Sequence, residues 1–262
     1  MINKDNILNL LENYREILPI IRNRVSETKD RSLSFRYKPI NSIKAYLSKK
    51  VHVLQFPSKS INYGSLITNR NNRYYIYINT GQPKVYENLR WVSGYYYYQY
   101  ESEEIRNSDI LSIFEETIEN EKLYSANLFA IELLINSRLL LEQFNLIKEL
   151  YVDESLENRI VRLIPIFKLP FKQIVVKLAL DGIILDREVV EIIDFRYQTS
   201  LPADFDQTIL KSSMAIRISN LNSFLNNEVV KVNMLEADLR SFQTAYEQHI
   251  TSLEILRERQ QE

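Results

Sequence analysis

The sequence predicts an α+β protein with a small antiparallel sheet. Runs of alternating Tyr and Ile, as in RYYIYIN at 73–79, are typical of strands with one buried face. Apolar residues at spacings of three and four predict helices on both sides of this region, and residues 204–259 contain no Gly or Pro that would end a helix. We therefore expect the sheet and its helices to be followed by a helix-turn-helix-like helical subdomain and a long C-terminal helix or helical hairpin.

Composition excludes several classes of chemistry. The chain has 262 residues, with 33 Lys and Arg against 34 Asp and Glu, no Cys and two His. A chain without Cys has no disulfide, thiol nucleophile or zinc–thiolate site. The near-neutral charge excludes a uniform polycation that acts on nucleic acid. Because His52 and His249 are far apart in sequence, we expect no metal site and no cofactor.

The first segment, 1–40, is predicted to be a helix and a connector. Apolar residues follow helical spacing over 5–27, and a polar stretch follows at 28–40. Acidic residues inside the apolar periodicity are unlike a signal peptide, and the chain has no apolar run of the about 18 residues that a transmembrane helix needs. We expect a cytoplasmic protein with no membrane partner.

The second segment, 41–150, holds the predicted sheet. Strands are expected at 51–56, 61–69 and 73–79, and the last two form a hairpin. Helices are expected at 86–100, 108–120 and 123–142. Tyrosines 95–98 cover every face of the first of these helices, so two interpretations are open: the rings fill the core and cover a cleft, or they form an exposed patch for a partner.

The third segment, 151–200, is predicted to contain two short helices, 155–164 and 170–181, at the spacing of a helix-turn-helix. Gly182 is expected to cap the second helix, and 183–197 to form a strand or wing. Either the helices pack as a small apolar subdomain, or the second one reads DNA. In the latter case the contacts would come from Lys172, Gln173 and Lys177.

The fourth segment, 201–262, carries apolar residues in a heptad register, which predicts a coiled coil and hence a homodimer. A hairpin that breaks at Asn226-Asn227 and buries the same stripe is the alternative. The residues expected to mediate oligomerisation are Leu225, Val232, Leu235, Leu239, Phe242, Tyr246, Leu253 and Leu256.

Two stretches of the second segment resemble the ImmA/IrrE family of metallopeptidases. IYIN at 76–79, followed by Arg90-Trp91, resembles the family's strand that ends in Asn and the Arg-Phe pair of its zinc-binding helix. The run 126–130, Ala-Asn-Leu-Phe-Ala, follows the Ala-Asn-x-Phe-Ala core of another family helix and is the most specific signal in the chain. The resemblance covers roughly half of the chain and implies zincin-like helices.

The zinc-binding residues of this family are absent. In an HExxH helix, two His one turn apart bind zinc and the Glu between them activates water. Tyr95 and Gln99 stand at the two His positions, Tyr96 at the Glu position, and Leu123 at the position of the third ligand. A phenol, an amide and an alkyl chain do not hold zinc, so we expect a pseudo-enzyme with no catalytic activity.

The resemblance implies a non-catalytic, protein-binding regulator on a peptidase scaffold. Active family members are encoded beside helix-turn-helix repressors of mobile elements, so the expected partner is such a repressor of a phage or mobile element. The residues expected around the vestigial cleft are Asn79, Arg90, Tyr95, Tyr96, Gln99 and Asn127. The alternative function is a dimeric DNA-binding transcriptional regulator that uses 155–185.

Overall fold

The computed structural model describes residues 2–58, 64–70, 72–107, 111–113, 121–199, 201–218, 228 and 236–259. These residues form a mixed α+β fold that is mostly helical and contains one five-stranded sheet. None of the helices in these ranges combines the length and the apolar character that crossing a membrane would require.

The first half of the chain contains the whole sheet except its last strand. Its elements are α1 (Ile7–Asp30), α2 (Leu33–Tyr37), α3 (Pro39–Lys50), β1 (His52–Phe56), β2 (Ser65–Arg70), β3 (Arg73–Asn79), α4 (Lys84–Tyr100), α5 (Ser102–Asn107) and β4 (Leu111–Ile113). The later elements are α6 (Glu121–Leu134), α7 (Ser137–Leu150), α8 (Leu156–Val161), α9 (Leu163–Phe167), α10 (Phe171–Leu180), α11 (Asp186–Ile192), β5 (Arg217–Ile218) and α12 (Glu236–Arg259), with short 3-10 turns at 197–199 and 207–210.

The sheet is mixed, which corrects the expected antiparallel sheet. Its strand order is β4-β2-β3-β1-β5. The predicted β2–β3 hairpin is confirmed, with Ile67 opposite Ile76. Strand β3 lies between β2 and β1. It runs parallel to β1, with Val53 opposite Ile76. A purely local reading of the hairpin could not reveal this parallel pair.

The core lies between the sheet and a layer of helices. Helix α4 packs against β2 and β3 on one side and against α6 on the other, and α1 crosses α6. Helix α1 also contacts α10 and α11, so the first predicted segment packs against the second and the third. The side chains that form this core are fully buried and include Leu11, Ile76, Val92 and Phe129.

Two of the predicted helices between 108 and 142 are wrong in extent. Residues 111–113 form the edge strand β4, paired with β2, and the rest of 108–120 lies outside the described residues. The helix expected at 123–142 is two helices, α6 and α7. It breaks at Asn136, whose side-chain Oδ1 accepts a hydrogen bond from the backbone N–H of Leu139 at 3.0 Å and caps α7.

Residues 183–197 contain a helix instead of the expected strand or wing. The Glu188 carboxylate accepts a hydrogen bond from the backbone N–H of Leu185 at 2.7 Å and caps α11. The expectation for Gly182 is confirmed: it adopts a φ of +69° just after α10, which a residue without a Cβ does at little cost.

The C-terminal helix is confirmed over Glu236–Arg259, but a continuous helix from 204 is wrong. Met214 has a φ of +48°, and Arg217 and Ile218 pair with β1 as the edge strand β5. Pairing with an existing strand edge overrides the helical pattern there. Of the oligomerisation positions, Leu225, Val232 and Leu235 lie outside the described residues, while Leu239, Phe242, Tyr246, Leu253 and Leu256 belong to α12.

Candidate functional site

The tyrosines of α4 form a closed aromatic cluster. Tyr95 and Tyr96 have no exposed surface, and Tyr97 is also buried. The Tyr95 ring centroid lies 5.6 Å from that of Tyr46 on α3 and 6.2 Å from that of Phe129 on α6. The rings at 95–97 therefore belong to the core, which corrects the alternative of an exposed aromatic patch.

Tyr96, which the resemblance assigns to the general-base position, is held by α1. Its ring lies 5.3 Å from that of Phe129, and the Arg24 guanidinium lies 5.2 Å from its ring centroid. The Tyr96 hydroxyl accepts a hydrogen bond from Arg24 and donates one to Glu101 Oε1 at 3.3 Å. Arg24 also pairs with Glu101 at 3.1 Å, so an ion pair closes this end of the cluster.

Gln99, at the second His position of the family motif, connects three helices. Its Oε1 accepts hydrogen bonds from Arg31, which follows the last residue of α1, at 3.1 Å and from the Tyr46 hydroxyl on α3 at 3.3 Å. With Tyr95 and Tyr96 buried and Gln99 engaged, the expected cleft at these three positions is absent. The reason is that α1 and α3 lie over this face of α4.

Two other expected cleft residues maintain the fold. Asn79, which ends β3, fastens the loop after β1: its Oδ1 accepts from the backbone N–H of Ser58 at 2.8 Å and of Gly81 at 2.9 Å. Arg90 is buried against Gly64, where a Cβ would come within 2.2 Å of its Nε. Both side chains pack inside the protein, so neither lines an open cleft.

Asn127, from the Ala-Asn-x-Phe-Ala run, is buried on α6 beside the cluster. Its Oδ1 has no hydrogen-bond partner in the described part of the chain. In those same residues, no three His, Asp or Glu side chains are grouped as a metal site would require. The side chain of Leu123 lies outside what the structure describes.

Burial of the cluster predicts sensitivity to alkali. Burial raises the pKa of Tyr96 to about 12 and raises the pKa of Tyr95 and Tyr14 as well. Below the unfolded pKa of about 10 both states are neutral, so this contribution to stability is complete. Between pH 10 and 12 only the unfolded chain ionises, so stability falls. We expect phenolate absorbance and loss of circular dichroism to rise together in this window.

A guanidinium-unfolded sample provides the reference for that titration, since its 17 tyrosines are all exposed to solvent. If the native protein titrated like this reference while its circular dichroism stayed intact, the closed cluster would be contradicted.

Of the three residues expected to contact DNA, two are buried and the third, Lys172, is partly exposed but bonded within the protein. Lys177 has no exposed surface and pairs with Glu132 and Asp181. Gln173 is also buried. Lys172 donates to the backbone oxygen of Ile2 and lies 3.4 Å from Asp194. The face of α10 that carries these residues packs against other elements, so the expected recognition surface is wrong.

A basic groove, defined by its charged side chains, lies elsewhere on the molecule and was not predicted from the sequence. Its volume is about 890 Å³, and it lies between α3, the first half of α4, α9 and residues 206–217. The charged residues that line it are Lys38, Lys44, Lys84, Glu87, Lys168, Asp206 and Arg217. These residues come from five separate parts of the chain, so no local motif indicated the groove.

Comparison with models of known protein families, with curated proteins and with solved structures finds no match.

Proposed function

We propose that this chain is a non-catalytic, protein-binding regulator of the cytoplasm that acts on a helix-turn-helix repressor of a phage or mobile element. The observation that carries the proposal is the closed packing around Tyr95, Tyr96 and Gln99. These residues stand where the resembling peptidases bind zinc, and α4 and α6 correspond to the two family helices in this proposal.

A zinc peptidase needs an open coordination position and a bound water that attacks the substrate. Here the corresponding volume is occupied by the rings of Tyr95, Tyr96 and Phe129, and Arg24 covers Tyr96. A phenol with a raised pKa stays neutral and is a poor metal ligand. This packing supports the proposal that the chain keeps the peptidase scaffold and lacks the zinc-dependent catalysis.

The repressor would bind outside the aromatic cluster, since the cluster offers no surface to a partner. The proposed assembly is a homodimer through α12, where Leu239, Phe242, Tyr246 and Leu253 recur at spacings of three, four and seven. Such a spacing is typical of a helix seam.

The test uses the purified chain and a helix-turn-helix repressor of the kind that the proposal names. We expect light scattering to give the mass of a complex that contains this chain and the uncleaved repressor. We expect metal analysis to give far less than one zinc per chain. Light scattering of the chain alone measures the dimer.

A chelator-treated sample is the control, and its complex is expected to be unchanged. One zinc per chain, or cleavage of the repressor that a chelator stops, would overturn the non-catalytic part of the proposal. A repressor that elutes separately at concentrations near those in the cell would overturn its regulatory part.

A further inference from the structure

The basic groove carries unbalanced positive charge. Its two carboxylates are already engaged: Glu87 Oε2 accepts a hydrogen bond from the Ser213 hydroxyl at 2.7 Å, and Asp206 Oδ1 accepts from the backbone N–H of Thr208 at 2.9 Å. Lys44 lies 3.9 Å from Glu87. Four exposed cations line the rest and form no ion pair with any residue that the structure describes: Lys38, Lys84, Lys168 and Arg217.

A buried donor in the wall also lacks an acceptor. Trp91 is 2% exposed, and its indole N–H has no hydrogen-bond partner in the described part of the chain. The Lys44 ammonium lies 5.6 Å from the centroid of the Trp91 ring. Burial lowers the pKa of Lys44, Glu87 partly offsets this, and the nearby Arg217 lowers the pKa further. A bound carboxylate would offset the effects of burial and of Arg217 on Lys44.

The groove continues into apolar surface. Pro165 and Ile166 line both the groove and a hollow of about 230 Å³ at the end of α7. Leu146 and Leu150 line this hollow, and both side chains are exposed, as is Ile166. Its other wall carries the Arg162–Asp204 ion pair, in which the Asp204 charge is balanced. Inorganic phosphate or a nucleotide would use the cations alone. A peptide with neighbouring acidic and apolar side chains would cover both surfaces.

We propose that the basic groove and the adjoining hollow bind an acidic segment of a protein partner, with apolar side chains next to its carboxylates. The inference deepens the proposed function and rests on it, since it names the chemistry by which the partner would be recognised. The charge of the groove and its apolar continuation select a peptide over a nucleic acid.

Trp91 makes the test direct, because it is the one Trp in the chain. The probe is a short fluorescein-labelled peptide with the repeat Glu-Glu-Leu, followed by anisotropy and, unlabelled, by Trp91 emission. We expect binding that changes Trp91 emission and weakens with added salt. Charge reversal at two exposed positions, Lys84→Glu with Lys168→Glu, is expected to weaken binding by about tenfold or more.

The matched control reverses two exposed lysines on α3 that do not line the groove, Lys49→Glu with Lys50→Glu. It keeps the same net charge as the groove variant and is expected to bind within about twofold of the parent chain. Ile166→Ser removes apolar surface without adding charge, and it is expected to weaken the Glu-Glu-Leu peptide but not oligoglutamate. Thermal unfolding of every variant verifies that it folds.

Several results would overturn the inference. Equal binding of a Gln-Gln-Leu peptide, equal loss in both double variants, or binding of oligothymidylate or ATP in place of the peptide would each do so. The repressor complex separates the two proposals. If the groove variant forms that complex as well as the parent, the groove inference fails while the proposed function stands; if the peptide binds but no repressor does, the proposed partner fails.

Discussion

Replacement of Lys177 by Ala is expected to lower the free energy of unfolding by about 3–5 kcal/mol, because it leaves two buried carboxylates without their cation. The Lys177 ammonium has no exposed surface and donates to Glu132 Oε1 at 2.5 Å and to Asp181 Oδ1 at 2.9 Å. It also donates to the Ser137 hydroxyl at 2.9 Å. Chemical denaturation followed by circular dichroism measures the loss.

The network of charged side chains joins three helices, so the loss of Lys177 is expected to destabilise the whole fold. Arg22 on α1 lies 3.0 Å from Glu132 on α6 and 3.3 Å from Asp181 just after α10. Because Arg22 is half-exposed, it compensates only part of the charge that Lys177 leaves. An opening of this network would therefore loosen α1 from both of the other helices.

The control for this variant is Arg138→Ala. Arg138 is 89% exposed and pairs with Glu142 four residues along α7, a geometry that contributes about 0.5 kcal/mol or less. If the Lys177 and Arg138 variants lost similar stability, Glu132 and Asp181 would have to be solvated or protonated, which contradicts the buried network.

Replacement of Tyr96 by Ala is expected to cost about 3–5 kcal/mol of stability, because it removes a fully buried ring from the cluster and leaves a cavity. The Tyr96→Phe variant keeps the ring and loses only the hydroxyl bonds to Arg24 and Glu101, and it is expected to cost about 1 kcal/mol. The exposed Tyr37 provides the control: it is 79% exposed, and Tyr37→Ala is expected to stay within about 0.5 kcal/mol.

These variants also distinguish a structural from a binding role. If Tyr96 only maintains the fold, Tyr96→Phe binds the repressor as the parent chain does. A Tyr96→Ala protein of nearly parental stability would show instead that the ring stands in an open pocket, and the closed cluster would then be wrong.

Sequence patterns predicted the structure best where the local geometry of a strand or helix determines it. The alternation of Tyr and Ile placed β3 at 73–79, as observed, since successive side chains of a strand point to opposite faces. Residues 76–79 are all buried, so packing covers both faces there. Pro83 precedes α4 directly, and the helix begins two residues before its expected start. In contrast, the apolar spacing predicts one helix over 123–142, because nothing in the sequence distinguishes Asn136 from other polar residues before its side chain caps the next helix.

The candidate site was harder to predict from the sequence than the strands and helices were. The sequence predicts a cleft lined by Asn79, Arg90 and Gln99. In the structure each of these side chains contacts residues that are distant in the chain, and none lines a cleft. The sequence favours Lys177 as a candidate DNA contact because a DNA-reading helix carries basic and amide side chains on its exposed face. Its burial depends on Glu132, which lies on another helix.

The sequence by itself determined the strands of the hairpin, the helical character of α4 and the absence of cysteine chemistry and of an HExxH motif. Spacing along the chain is enough for these features, because hydrogen bonding and side-chain periodicity in a strand or helix are local. Only the tertiary structure decided that the tyrosines of α4 face inward and that distant cations meet in the basic groove. Burial and clustered charge are properties of long-range packing, which joins residues that no periodicity relates.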